Sequence, residues 1–303
     1  MTLKQLEAFY WAASAVNFLV AAERLHVSQS ALSKRISELE GDLGQTLFDR
    51  SGQRAFLTGA GQRLLPFARR MLGLADELVT TMAGDAGVRG HCRFGVGELA
   101  ALSWLTDFVA YTRTNYQALN IEPCVDIGAA LEQRVEAGEL DFAVVAGYST
   151  RSSIASETIG HVQFGWAAAP SLIGKHRTLN QDILRKTSLI TMPHGAGPTR
   201  MLEQWLAVNN LEAGPRLVCN NLIAVASLIA GGLGIGLYPQ AWLMQFAAKG
   251  LLVPLRHSAP LPAMPYTFQH RRDDSRPLLH AMRKAVEQTA DFAKPVSFWA
   301  SQK

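Results

Sequence analysis

Residues 18–58, FLVAAERLHVSQSALSKRISELEGDLGQTLFDRSGQRAFLT, constrain the fold of this 303-residue chain more than any other stretch. They read as two short helices joined by a tight turn, followed by a hairpin with an arginine on each side. The first helix spans about Phe18 to Leu25, and its Ala21 and Ala22 are small enough for a second helix to come close. Ser28 suits the N-cap of the next helix, because its side-chain oxygen can accept a backbone N–H that the helix leaves orphaned. Val27 and Leu32 have the spacing of a hydrophobic staple across that cap. Leu32, Ile36 and Leu39 form an apolar stripe at i, i+4, i+7. The opposite face presents Gln29, Ser30, Ser33, Lys34 and Ser37, short polar groups and one cation of the kind that meets base edges and phosphates in a major groove. The pattern predicts a helix-turn-helix.

Leu47 to Leu57 then reads as two short strands about a Ser-Gly turn, the wing of a winged helix-turn-helix. Arg50 and Arg54 flank the turn and are expected to touch phosphates or the minor groove. The run Ala21 to Ser33, with Ile36, Leu39-Glu40, Leu43-Gly44, Leu47-Phe48, Arg50 and Leu57-Thr58, resembles the DNA-binding domain of LysR-type transcriptional regulators across roughly the first seventy residues. Ser30 is a departure, since relatives most often carry proline there.

Composition sets bounds. The length accommodates two or three compact units, and 48% hydrophobic with 18% charged residues describes a globular chain. A net charge of +4 permits a nucleic-acid partner without establishing one. Through residue 70 there are nine Lys/Arg against six Asp/Glu, so any basic footprint is local. The N-terminus reads as a helix rather than a signal peptide. Leu3, Leu6, Phe9 and Ala13 recur at helical spacing, and Thr2 with Gln5 is placed as a capping box. No apolar run suggests a membrane span, so a cytoplasmic protein is expected. Cys92, Cys124 and Cys219 are dispersed and read as small buried hydrophobes, a redox sensor being the alternative. Neither they nor the histidines show metal-ligand spacing, and no metal or cofactor is expected.

Thr58 is expected to cap a long helix. Leu64, Ala68, Met71, Ala75, Leu78 and Met82 follow heptad spacing along it, with Pro66 inside. Such a seam on a helix that joins two domains favours self-association, and the LysR resemblance implies a homodimer through this helix and a homotetramer beyond it. Residues 83–90 contain three glycines and no periodicity, which marks a domain boundary.

Beyond residue 90 strands are expected at 92–97, 121–127, 140–146, 163–169, 188–192, 216–219, 235–238 and 264–270. Helices are expected at about 98–115, 129–137, 199–209, 221–231 and 276–293. This alternation predicts α/β architecture with mostly parallel sheets. The strands are too many for one small sheet, and 147–159 reads as a crossover between two α/β subdomains. Glu136 to Val145 and Ala230 to Pro239 resemble the LysR effector domain, which is similar to periplasmic binding proteins and holds small molecules between its halves. The full reading is a winged helix-turn-helix at 1–58, a linker helix and hinge at 59–90, and an effector domain at 91–303. Within that domain, subdomain I covers about 91–160 and 267–303, and subdomain II about 161–266.

In such a fold ligands meet strand C-termini and helix N-termini. The corresponding positions are Glu98, Leu99, Ala129, the loop with His194, Gly197 and Thr199, and Asn221. Many relatives place serine or threonine at the first two turns to bind a carboxylate, and this chain has Glu98 and Ala129 instead. An anion beside Glu98 meets repulsion. Either Glu98 turns away to cap its own helix, or the effector carries a donor or a positive charge. Two other functions fit parts of the chain. Gly95-Val96-Gly97-Glu98-Leu99-Ala100 satisfies the G-x-G-x-x-A pattern of a dinucleotide-binding oxidoreductase, but Asp126 lies thirty-one residues beyond Gly95 where roughly 20 are expected. A solute-binding protein explains the C-terminal part alone. The reading preferred here is not an enzyme. It is a sequence-specific transcriptional regulator that binds double-stranded operator DNA and responds to a small-molecule effector.

Overall fold

The structure is a computed structural model that describes residues 1–15, 17–49, 55–82 and 88–294. The chain divides into two compact units, Met1–Gly90 with Ala137–Glu139, and the remainder.

In the first unit, α1 (Leu3–Ser14) starts at a reciprocal capping box of Thr2 and Gln5. After it come α2 (Phe18–Arg24), capped by Asn17, and α3 (Gln29–Leu43), capped by the Ser28 side chain, which accepts from Ala31 N at 3.2 Å. Gly44 ends α3 in the left-handed conformation that glycine adopts without a Cβ penalty. Two-residue strands β1 (Phe48–Asp49) and β2 (Phe56–Leu57) pair antiparallel. Glu40 on α3 ties down their approach, accepting from Leu47 N at 2.7 Å and Phe48 N at 3.2 Å. Leu6, Phe9, Ala21, Ala22, Leu32, Ile36, Leu39 and Phe48 form one core, with each of them almost fully buried.

Thr58 opens α4 (Gly59–Met82), its Oγ1 accepting from Gly61 N at 3.1 Å and donating to Thr46 O at 2.7 Å. The helix runs through Pro66 without a break. The expected seam divides. Leu64 and Ala68 pack into the unit's own core, while Met71 and Leu78 stay exposed in line with Phe67 and Leu74. The first turns of α4 are claimed by the three-helix core, so the free apolar line lies about a quarter turn away from Ala68 and Ala75. The Met82 side chain lies outside the described residues.

The second unit holds two five-stranded sheets. Its elements run β3 (Gly90–Val96), α5 (Glu98–Ser103), α6 (Leu105–Asn115), β4 (Leu119–Val125), α7 (Gly128–Glu136), β5 (Phe142–Ala146), β6 (Ile154–Val162) and β7 (Phe164–Ala168). They continue with α8 (Pro170–Ile173), α9 (Gln181–Lys186), β8 (Leu189–Thr191), α10 (Gly197–Val208), β9 (Arg216–Val218), α11 (Leu222–Ala230) and β10 (Ile235–Pro239). The last are α12 (Gln240–Ala248), β11 (Val253–Leu255), β12 (Met264–Arg271) and α13 (Pro277–Thr289). One sheet has the order β4-β3-β5-β12-β6 and the other β11-β7-β10-β8-β9.

Both sheets are mixed, which corrects the mostly parallel expectation. The pairs β3–β5, β8–β10 and β8–β9 run parallel, whereas β12 runs antiparallel to β5 and β6, and β7 antiparallel to β10 and β11. The cause lies in how the chain changes sheets. It leaves the first in β6, enters the second in β7 after the single residue Gln163, and returns from β11 into β12. A strand that passes straight from one sheet to the other needs no covering helix, so it arrives against the direction of its neighbours. Residues 147–159, read as a crossover, therefore contain much of a paired strand.

Aromatic rings fill the first sheet. Phe142 stacks between Phe94 and Phe268, with centroids 5.2 and 4.5 Å away, and Phe108 of α6 meets Phe94 edge-on. Beside them Arg276 bridges Asp141 at 2.7 Å and Asp274 at 2.5 Å.

Candidate functional site

Helix α3 buries Leu32, Ile36 and Leu39 and turns Gln29, Ser30, Lys34 and Ser37 to solvent, with Ser33 partly covered. Capping and burial fix the rotation of the helix, so the polar face is defined by the core behind it. The Ser30 hydroxyl lies 2.9 Å from that of Ser28 and so is shared with the cap. Arg50 and Arg54, with the Ser-Gly turn between them, lie outside the described residues.

In the second unit a cleft opens between the two sheets, with about 760 Å³ of free volume counting the part open to solvent. One wall is formed by Gly97 to Leu99, Asp126 to Gly128, Val145, Ala146 and Tyr266, and the other by Phe164, Ile190 to Met192, Ala196 to Thr199, Leu202, Leu222, Val225, Leu237 and Pro239. Of the residues expected to meet a ligand, Glu98, Leu99, Gly197 and Thr199 line this space. Ala129 does not, and its N–H donates to Gly195 O at 3.2 Å. His194 does not either. Its side chain is 84% exposed and lies 3.0 Å from Glu203, whose carboxyl Arg216 and His194 together hold below its ordinary range.

The loop that contains Gly197 was expected to admit a ligand to its backbone. What comes close is protein, because a Cβ on Gly197 would stand 2.4 Å from the Ala146 carbonyl oxygen. That contact holds the start of α10 against β5. Thr199 is 3% exposed and donates to Met192 O at 2.9 Å, so its hydroxyl braces the loop.

Glu98 does not cap its own helix. Its carboxylate reaches the start of α11, where Oε2 accepts from Leu222 N at 2.5 Å and Oε1 from Asn221 Nδ2 at 2.7 Å. Asn221 caps the same helix, its Oδ1 accepting from Ala224 N at 2.8 Å. Burial raises the Glu98 carboxyl above its usual value, and the bond from Leu222 opposes that shift. The residues that sequence reasoning missed, among them Phe164, Thr191, Leu202 and Val225, are apolar or isolated, and no motif marks them.

Comparison with protein-family models decides what these two sites belong to. The model described as "Bacterial regulatory helix-turn-helix protein, lysR family" matches residues 3–62, and "LysR substrate binding domain" matches residues 85–291. The chain belongs to the LysR family. It is a LysR-type DNA-binding transcriptional regulator with an effector-binding domain, and the oxidoreductase reading of Gly95 to Ala100 falls away, since members of the family are regulators and not enzymes.

This LysR-type regulator is 29% identical over 286 residues to a probable hydrogen peroxide-inducible genes activator of Mycobacterium avium, covering 90% of each chain. It is 28% identical to the regulator IlvY of Escherichia coli, covering 80% of this chain and 83% of that one. Among solved structures it shares its fold with a full-length OxyR variant from Pseudomonas aeruginosa, with a TM-score of 0.75, 20% identity and 96% of each chain covered. CbnR complexed with its target DNA gives a TM-score of 0.61 at 23% identity, covering 96% of this chain and 100% of that one. In this LysR regulator Cys92 is fully buried, and burial followed by the Asp141 charge pushes its thiol well above the usual range. That places Cys92 among inert structural cysteines. No helix among the described residues is long and apolar enough to cross a membrane.

Proposed function

We propose that this regulator reads its operator through the exposed face of α3 and is switched by a small molecule in the cleft of its effector domain. The observation that carries this reading is the division of α3 into a buried apolar stripe and a free polar face. In this reading residues 1–58 bind DNA, 59–90 join the units and form a homodimer, and 91–303 hold the effector. Dimers pair into a homotetramer, and the protein works in the cytoplasm. Gln29, Ser33 and Lys34 contact bases and phosphates directly, Ser30 contributes from the cap, and Arg50 and Arg54 hold the adjacent backbone or minor groove. Glu98, Leu99, Gly197 and Thr199 surround the effector, with Asn221 behind Glu98.

Gln29→Ala is expected to narrow the gap between operator and random DNA by about 1–3 kcal/mol, the value of a good base contact, and to leave folding intact. An equal loss on both DNAs in a titration assay would sink the base-reading role. Arg54→Ala is expected to weaken operator and random DNA alike. It should also make the slope of log K against log salt shallower by about one unit per lost phosphate contact. An unchanged slope would remove Arg54 from the phosphate contacts.

A further inference from the structure

The cleft's lining has a one-sided charge. Its ionisable groups of fixed sign are Glu98 and Asp126, and no lysine, arginine or histidine is among the lining residues. Arg200, which follows the Gly197–Thr199 segment, points its Nη2 at the Ala146 carbonyl, 3.4 Å away.

One position in this cleft suited to an anion is the start of α11, a nine-residue helix whose first-turn N–H groups are left without partners inside the helix. Protein already fills that position. The Glu98 carboxylate, carried by the opposite wall, takes the Leu222 N–H and the Asn221 amide, the two donors a ligand carboxylate would otherwise meet. Two of the roughly four lone-pair directions of a carboxylate are used in these bonds, so Glu98 can still accept from a donor inside the cleft. A second polar group faces the same choice. Thr191 lines the cleft, is 5% exposed, and its buried Oγ1 has no hydrogen-bond partner. A buried hydroxyl left without a partner costs free energy, and a ligand polar atom would relieve that cost. The remaining walls, Phe164, Ile190, Leu202, Val225 and Leu237, are apolar and close to fully buried.

We propose that Glu98 acts as a built-in anion at the start of α11, so that this cleft accepts a small, largely apolar amine or a neutral hydrogen-bond donor and rejects carboxylates. The inference rests on the reading of the cleft as the effector site and adds the chemistry of the effector to it. The ligand's donor meets the free lone pairs of Glu98, its apolar body fills the space between Ile190 and Val225, and a further polar atom satisfies Thr191.

Three probes of one shape and different charge test this on the full-length protein: benzylammonium, benzyl alcohol and benzoate, followed by thermal shift and calorimetry at equal concentrations. Benzylammonium and benzyl alcohol are expected to raise Tm, with benzoate at least about tenfold weaker in Kd than benzylammonium. Glu98→Gln keeps the shape and removes the charge, so it should bring benzoate and benzylammonium within about threefold of each other. Val225→Trp, which fills the cleft, should abolish binding of all three. If benzoate binds the natural protein as tightly as benzylammonium and Val225→Trp abolishes that binding, the cleft is a ligand site and the charge rule is overturned. If no probe binds the natural protein or Glu98→Gln, the cleft reading fails and takes this inference with it.

Discussion

Leu78→Asp is expected to lower the oligomeric mass in sedimentation, removing at least half of the 33.0 kDa chains from each assembly, and to abolish tight operator binding. Phe67, Met71, Leu74 and Leu78 repeat at spacings of 4, 3 and 4 along α4, and they are 60%, 39%, 61% and 61% exposed. Four large apolar side chains on one line of a helix lose contact with water when a second copy covers them. A carboxylate at Leu78 would then be buried without a partner, which opposes assembly. Two linked DNA-binding units gain about 10²–10⁴ in affinity from effective concentration alone, and chains no longer joined at α4 lose that gain. Because Leu78 is largely exposed within the chain, far-UV circular dichroism should be unchanged. A variant that keeps the natural mass would place dimerisation elsewhere.

Phe142→Ala is expected to cost about 3–5 kcal/mol, the range for truncating a buried aromatic ring. Phe142 is fully buried and stacked on both faces, so the cavity cannot collapse without moving β3 or β12. The ring lies in the second unit, so in urea only the transition of that unit should move to lower denaturant, while the transition of Met1–Gly90 stays in place. A loss under 1 kcal/mol would mean that the phenylalanine stack repacks around an alanine.

The helix-turn-helix was legible because its determinants are local. A capping serine, a three-residue apolar stripe and two small alanines each specify geometry within a few positions, and the structure places Ser28, Leu32, Ile36 and Leu39 as expected. The effector unit was legible where strands are buried on both faces, as in Phe142–Ala146, and obscure where they are not. Strand β6 carries Ser156, Glu157, Thr158 and Gly160 at an edge of its sheet, with no apolar alternation to reveal it. Strand β11 has Pro254 at its centre, which argues against a strand except at an edge, where it lies. The helix expected at 98–115 breaks at Trp104, whose burial overrides local helix propensity. At the cleft, glycines and helix starts pointed to Glu98, Leu99, Gly197 and Thr199, which line it, and also to Ala129, His194 and Asn221, which are not among its lining residues. The partner of Glu98 did not show, because Asn221 and Leu222 lie more than a hundred residues away and nothing in the local pattern pairs them.

The two passages between sheets bear on how an effector could act. One is the single residue Gln163, whose carbonyl accepts from Gln240 N at 2.8 Å. The other, residues 256–263, carries Pro260 and Pro262 and is fastened by the Trp205 indole N–H to Pro260 O at 3.1 Å. Two short straps limit the relative arrangements open to the halves, and Glu98 and the Gly197–Ala146 contact also tie them across the cleft. A ligand that bridges the halves then excludes few alternative arrangements, and the entropic cost of its binding is correspondingly small. A molecule of only a few heavy atoms can tip such a joint, because its modest binding energy is set against a bending angle instead of the ordering of a loop.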